Sequence, residues 1–382
     1  MNRKNQKPYL FILAVLLVLM SISLTASEKL RGVVVATLTP LWISLTPSDG
    51  ALNSDGELQK TKIEMQLVKN ELQRMRELLK QELRLNRQLT ALPRQEREVE
   101  ELDELMKEHY AELRKQIALQ LQALPARVIF RSPSSWNSSV WLNVGENDNK
   151  AHGKAIIAKN SPVIVGNCVV GVVDYVGKQQ CRVRLITDSG LTPSVRAVRG
   201  DLQQKRTADE LSDVVEVLAQ DPYGKTPEGL KLQQQLKQAC ETLQENPSEN
   251  FYLAKGELRG SSKPLWRSLG TSLRGIGFNY DFADEYGPAR DLRSGAPVTH
   301  PKEAAIPLLK VNDLLVTTGM DGVFPPGLQV AVITKIETLK EGDYYYELEA
   351  RPTAHGLHQL NMVYVLPPVG FDADDKPPFI GM

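Results

Sequence analysis

Residues Tyr9–Ala26 form an apolar run of about 18 residues, broken only by the hydroxyls of Ser21, Ser23 and Thr25. As a helix rising about 1.5 Å per residue it reaches roughly 27 Å, just enough for a hydrocarbon core of about 30 Å. Arg3, Lys4 and Lys7 precede it, while Lys29 and Arg31 come after it and are partly offset by Glu28. This modest positive-inside bias leaves the N-terminus in the cytoplasm. A cleaved signal peptide is the competing reading, with Thr25-Ala26-Ser27 as its small-residue cleavage site. The run is long for a signal peptide, and Gly32–Leu45 continues apolar beyond it. A retained single span is therefore expected, and on either reading the chain from about residue 28 onward lies outside the cytoplasm.

Beyond the anchor the chain becomes polar and periodic. Thr46–Gly56 is a turn-rich linker. Leu58, Met65, Leu72, Leu79 and Asn86 then sit seven apart, with Thr61, Val68, Met75, Glu82 and Leu89 three residues after each. Taken as a and d positions, they make a coiled-coil seam with Glu, Lys, Arg and Gln on the other faces. Glu82 at d weakens the seam. Asn86 at a either selects a parallel two-stranded register or marks where the coil loosens. Pro93 opens a second helix carrying Val99, Leu102, Met106, Leu113, Ile117 and Leu121, and Pro125 stops it. If collinear, Glu57–Leu124 would reach about 100 Å. A rod this polar has no small-domain core to join, so its seam (Leu58, Met65, Val68, Leu72, Met75, Leu79, Asn86 and Leu89) is expected to pair with a second copy.

From Ala126 the pattern turns to short apolar or alternating runs separated by glycines. Arg127–Arg131, Val140–Val144, Val163–Val165, Val169–Val176, Arg182–Ile186 and Ser194–Val198 read as strands. A second set runs Leu314–Thr318, Gln329–Thr338, Tyr344–Arg351 and Met362–Leu366. Their close spacing leaves no room for crossover helices and favours small antiparallel barrels. Between the sets, Ala208–Leu218 and Glu228–Leu243 read as a helical pair and Ser294–Pro301 as loop. The expected class is α+β: transmembrane helix, coiled coil, then two β-barrel-like subdomains with a helical insertion between them. The boundaries are 1–27 tail and anchor, 28–56 linker, 57–125 coiled coil, 126–200 first β subdomain, 201–307 insertion, 308–368 second β subdomain and 369–382 tail.

Motifs of chemistry are missing from the sequence. Lys+Arg and Asp+Glu balance at 46 each, so no global field points to nucleic acid or an acidic substrate. No HExxH, GxxxxGK[ST], GxSxG or paired zinc-ligand spacing occurs. His355 and His358, the one close histidine pair, are expected on a surface loop beside Gly356. Stacked barrels invite a search for a Ser-His-Asp triad, but His152, Thr317 and Thr318 come with no serine in a Gly-x-Ser-Gly setting. Cys168, Cys181 and Cys240 lack CxxC spacing. Cys168 and Cys181, on adjacent strands, either pair in an oxidising compartment or stay as free thiols. The most distinctive stretch is Gly319–Gly327 (GMDGVFPPG). Neither a lysine nor a helix start comes after it, so it is read as a rigid hairpin connection rather than a phosphate cradle. No enzyme activity, cofactor, metal or small-molecule substrate is expected.

The arrangement resembles the rod shape-determining protein MreC family. Ala126–Arg131 with Trp136 resembles the family's first β segment, and Leu142–Gly145 its LxxG turn. Val169–Val173 with Arg182–Asp188 (RVRLITD) resembles its central strands. The strongest similarity is in Leu309–Leu366. It takes in Val311–Asp313, Leu315–Gly319, Gly322, Phe324, Pro325, Gly327, Val330, Val332 and Ala350–Thr353 (ARPT). The chain departs from the family pattern at Asn312-Asp313, where the family has Gly-Asp, and at Thr318, where it has Ser. Glu146–His152 lacks the usual compact turn, and residues 201–307 are longer than typical. The resemblance implies a membrane-anchored scaffold of the cell-elongation machinery, in the bacterial inner membrane with its bulk in the periplasm. It also implies self-association, binding to a penicillin-binding transpeptidase and other membrane proteins of the elongation complex, and a link to the cytoplasmic actin-like filament. The alternative is a periplasmic adaptor of an export pump. Such adaptors insert the coil between halves of a β domain, whereas here Thr46–Gly56 leads straight from anchor to coil.

Overall fold

The computed structural model describes residues 122–132, 135–245, 250–260, 272–284, 286–299, 305–354 and 356–369. These belong to the compact unit that runs from Pro93 to Met382. The apolar run Tyr9–Ala26, the linker and the heptad segment lie outside the described residues, as does the tail from residue 370. Among the described residues no helix is long and apolar enough to cross a membrane.

The chain first lays down β1 (Leu124–Phe130), β2 (Ser139–Leu142), α1 (Glu146–His152), β3 (Pro162–Val165), β4 (Cys168–Val176) and β5 (Cys181–Leu185). Next come β6 (Ser194–Arg199), α2 (Asp201–Gln220), α3 (Pro227–Glu245), β7 (Phe251–Gly260), β8 (Leu273–Asn279), β9 (Leu314–Thr317), β10 (Gln329–Ile336), β11 (Tyr346–Pro352) and β12 (Met362–Val365). The twelve strands are ordered β11-β8-β7-β6-β9-β10-β4-β3-β12-β1-β2-β5, with extra pairings β11–β10 and β4–β5. Those two pairings each close a six-stranded barrel. The first barrel is β1–β5 with β12, and the second is β6–β11. They meet where β10 runs parallel to β4, with Gln329 opposite Cys168.

This topology moves the expected boundaries. β6, assigned from sequence to the first β subdomain, pairs with β7 and β9 in the second barrel. β12, assigned to the second, pairs with β1 and β3 and closes the first. The stretch 201–307 is not a spacer between barrels. It supplies β7 and β8, which pair with each other and join β6 to β11. The second barrel is thus inserted whole into the first, and the α2–α3 hairpin is a connection within it.

Alternation sets the faces. In β5, Cys181, Val183 and Leu185 are buried while Arg182 and Arg184 point outward, as the two-residue strand period requires. Outside, Arg182 grips Asp174 of β4 by two hydrogen bonds of 2.9 Å. One apolar cluster runs through both barrels, from Val140, Val163 and Val183 to Leu258, Phe278, Phe324 and Val330. Its burial of aliphatic and aromatic surface is the main force holding the strands together.

Register also decides the cysteines. Cys181 faces Val176, eight residues along β4 from Cys168, a separation of about 26 Å at the strand rise. They cannot pair, and Cys168, Cys181 and Cys240 are all free. Glu146–His152, the stretch that lacks the usual compact turn, is a short helix whose Asp148 carboxylate accepts the Gly145 N–H at 2.8 Å.

Candidate partner-binding face

Gly319–Gly327 forms the tip of the β9–β10 hairpin. Gly319, Gly322 and Gly327 have φ of +80°, +68° and +85°, a left-handed backbone that a Cβ disfavours. Beneath them the loop is tied down by side chains. Asp321 accepts the N–H groups of Val323 (2.9 Å) and Phe324 (3.0 Å) on one oxygen and that of Ser194 (3.1 Å) on the other. Thr317 donates to the Pro325 carbonyl at 2.6 Å and accepts from Leu328 N–H at 3.0 Å. Phe324 drops into the core and is 1% exposed. The hydroxyls of Thr317 and Thr318 are spent on this structure, the latter on Ser194 Oγ at 3.0 Å. His152 lies exposed in the last turn of α1.

The turn before β9 is equally fixed. Asn312 has φ +74°, which accounts for an asparagine where the resembling family has glycine, since asparagine tolerates this region better than most residues. The buried Asp313 carboxylate takes a two-pronged contact from Arg199 (2.9 and 2.7 Å) and the Lys310 N–H at 2.7 Å.

Beside the loop opens a cleft of about 490 Å³ lined by Ser194, Lys255, Gly256, Glu257, Ile276, Gly277, Asn279, Phe282, Met320 and Tyr345. Met320, at the loop tip, is 71% exposed, and Phe282 and Tyr345 are about half exposed. Exposed apolar surface gathered at a concavity is the usual mark of a docking site. The family-motif residues divide here: Gly319 and Gly322 shape the tip, Gly327 the return, and Phe324 and Pro325 are buried beneath it. The coil-seam residues Leu58, Met65, Val68, Leu72, Met75, Leu79, Asn86 and Leu89 lie outside the described residues, as does His355. Sequence reasoning missed Lys255, Glu257, Phe282 and Tyr345. For Lys255 and Glu257 the one local signal was the short alternation Glu257-Leu258-Arg259 at the end of Phe251–Gly260, in a stretch read as helix and loop. Among the described residues no cluster of metal-ligating side chains forms.

Comparison with known proteins bears on this architecture. A family model described as "Rod shape-determining protein MreC, barrel core" matches residues 128–240 and 293–367, leaving out β7 and β8. Among solved structures, MreC of Listeria monocytogenes is similar at 19% identity and a TM-score of 0.39, over 73% of this chain and all of that one. MreC from Pseudomonas aeruginosa is similar at 18% identity and a TM-score of 0.35, over 64% and 99%. A complex between penicillin-binding protein 2 and MreC from Helicobacter pylori is similar at 12% identity and a TM-score of 0.32, over 64% and 98%. No curated protein sequence matches the chain.

Proposed function

The chain belongs to the rod shape-determining MreC family, and from that premise we propose that it is a non-enzymatic, membrane-anchored scaffold of the cell-elongation machinery. Tyr9–Ala26 would hold it in the bacterial inner membrane, the heptad seam would pair it with a second copy, and the barrels would stand in the periplasm. There they would organise peptidoglycan synthases, first a penicillin-binding transpeptidase, and through the membrane partners connect them to the cytoplasmic actin-like filament. The observation that carries this reading is the family match across both barrels. The open aromatic cleft beside the Gly319–Gly327 loop supports placing a partner on the second barrel.

A scaffold acts by holding surfaces in place, so the reading is tested at a residue that shapes a surface. Gly327→Val puts a β-branched side chain at φ +85°, a strain of about 1–2 kcal/mol. The variant should stay anchored and dimeric, with unchanged circular dichroism, yet recover less transpeptidase on co-purification and disturb cell shape. Binding and shape both unchanged would make the loop a mere connector. Two further measurements address the anchor and the seam. Mass spectrometry of the mature protein should find the N-terminus intact; a chain starting near Glu28 would remove the anchor. Leu72→Asp with Leu79→Asp should convert the protein to monomer in sedimentation, because charges in an apolar seam cost several kcal/mol when desolvated, at least about 2 each. A wild type already monomeric at tens of micromolar would rule the seam out as the assembly element.

A further inference from the structure

One wall of the cleft comes from residues outside the family-model match. After β8 the chain forms a strap in which Arg290 N–H donates to the Tyr280 carbonyl at 2.8 Å and Asp284 bridges Gly287. One carboxylate locks this strap to the barrel. Asp284 Oδ2 lies 2.6 Å from Arg196 Nη2 and 2.8 Å from Lys255 Nζ. The Arg196 side chain is only 4% exposed and also donates to the Leu253 carbonyl at 2.9 Å. Its guanidinium lies 4.8 Å from the ring centroid of Tyr286 and 5.3 Å from that of Tyr280. Tyr286 in turn packs on Tyr252 with centroids 4.3 Å apart. Lys255 reaches from the same carboxylate to the Phe282 ring, 4.6 Å from its centroid. Phe282 is therefore held at the cleft mouth by charge and cation–π contacts rather than by burial.

The clasp also sets the charge of the cleft. Asp284 is shared by Lys255 and Arg196, so the cation at the wall is already paired. Glu257, on the same strand as Lys255, forms no ion pair among the described residues. The floor is bare at Gly277, where a Cβ would meet nothing within 4 Å. The space left is an apolar recess among Ile276, Phe282, Met320 and Tyr345, beside the Glu257 carboxylate. Its volume falls in the range of about 300–1,000 Å³ common to ligand clefts.

We infer that this cleft is a recognition pocket for a partner polypeptide segment presenting a large apolar side chain next to a lysine or arginine, and that Asp284 positions its Phe282 wall. Charge complementarity selects the occupant, since the recess takes the apolar group and Glu257 takes the neighbouring cation. Asp284, Lys255 and Phe282 all lie in the stretch 241–292, outside the residues that the family model matches. The inference rests on reading this side of the second barrel as a docking face.

The test uses the full chain in detergent with ¹³C-methyl methionine, following the Met320 methyl against that of Met362 in β12. The probes are three acetylated hexapeptides: Gly-Ser-Lys-Phe-Ser-Gly, Gly-Ser-Glu-Phe-Ser-Gly and Gly-Ser-Lys-Ala-Ser-Gly. The Lys-Phe peptide should shift Met320 saturably and leave Met362 still, with the other two weaker by up to about five-fold, the scale of one exposed ion pair. Glu257→Lys, a change at an exposed site, should reverse the preference toward the Glu-Phe peptide. Asp284→Asn should weaken binding of the Lys-Phe peptide with the circular dichroism unchanged, and Asp284→Glu should restore part of it. Equal or non-saturable responses to the three peptides, or no reversal in Glu257→Lys, would overturn the pocket even if Asp284→Asn fails to fold. Transpeptidase co-purification run in parallel separates the two readings. Loss in Gly327→Val with no peptide preference leaves the scaffold and removes the pocket. A charge-dependent peptide preference with transpeptidase retained in both variants leaves the pocket and removes the docking role.

Discussion

The two barrels have the same number of strands and close in the same way, yet their surfaces differ. Apart from the inserted second barrel, the first has one long connection, residues 143–161 with α1, and, among the described residues, exposes a single large apolar side chain, Phe130. The second has the α2–α3 hairpin between β6 and β7 and the strap and turn between β8 and β9. It exposes Phe251, Phe282, Tyr286, Val298, Val311, Met320, Tyr344 and Tyr345. Solvated apolar side chains on one barrel and almost none on its neighbour are what a division of labour would produce. On the proposed reading one barrel completes the core, and the other would present surface to a partner.

The largest effects should test whether the barrels are one folding unit. Phe324→Ala removes a ring 1% exposed in the second barrel and should cost about 3–5 kcal/mol. Leu185→Ala, as deeply buried in the first, should cost about 2–5 kcal/mol. Because β4 and β10 share a sheet and one apolar cluster spans both barrels, each variant should melt in a single transition at lower temperature. Two transitions in calorimetry would divide the molecule at the β4–β10 seam.

That seam marks where the sequence stops being informative. Hydrophobic alternation gives a strand's two faces but not its neighbours. Val140–Val144, Val169–Val176 and Gln329–Thr338 are therefore legible as strands. That Met362–Val365 closes on Leu124–Arg127 is a long-range pairing that no local pattern encodes. β7 and β8 were hidden for a different reason. Phe251–Gly260 has Lys255, Gly256, Glu257 and Arg259 within it, and Leu273–Asn279 has two glycines, so their β propensity is low and tertiary pairing decides. The Gly319–Gly327 hairpin was legible because glycine and proline punctuate turns. The cleft was not, since its lining comes from separate segments that only the barrel closure brings together.

Next in size is the clasp. Asp284→Ala leaves Arg196 buried without its carboxylate and should destabilise the second barrel by about 3 kcal/mol, the lower end for a broken buried pair because Asp284 is partly exposed. Burial raises the Asp284 pKa, but hydrogen bonds from Lys255 and Arg196 and from the Tyr286 N–H outweigh it, so the net shift is downward. A depressed carboxyl contributes its stability above the ordinary aspartate pKa, near about 4, and loses it as pH falls through the lowered value. Wild type should therefore keep the strap protected from hydrogen exchange at pH 5, with protection lost only in stronger acid. The variant should lack that protection at every pH. A strap equally protected in both would detach the clasp from the pocket.

A smaller effect separates the barrels at high pH. Burial, with the nearby charges of Asp174 and Asp148, pushes the Cys181 thiol from 9.0 up to about 12. An unfolded chain loses that proton near pH 9 while the folded one keeps it, so the raised value stabilises the fold below pH 9 and the benefit fades toward about 12. The slope for one proton is about 1.4 kcal/mol per pH unit. In the second barrel, burial likewise pushes Tyr252 and Tyr280 upward. Cys181→Val should remove only the first barrel's share of the alkaline loss, measured as the melting temperature between pH 8 and 11. An unchanged slope would place that loss elsewhere. In the native protein at pH 8, Cys181 should also resist iodoacetamide longer than Cys168, because it is fully buried and Cys168 is not.

The smallest change should be the most selective. Phe130 is 41% exposed on the first barrel and Tyr344 is 80% exposed on the second. Neither side chain has enough burial for its loss to matter to the fold, so Phe130→Ser and Tyr344→Ser should each stay within about 0.5 kcal/mol of wild type. Their difference should show only in binding. If the second barrel is the docking side, Tyr344→Ser removes an exposed aromatic ring of that barrel, one residue before the cleft residue Tyr345, and recovery of transpeptidase should fall several-fold, as ring truncations at interface anchors do when they cost more than about 1 kcal/mol. Phe130→Ser should leave recovery unchanged. Equal stabilities with the opposite binding result, loss in Phe130→Ser and none in Tyr344→Ser, would transfer the partner face to the first barrel. The exposed aromatics of the second would then need another occupant.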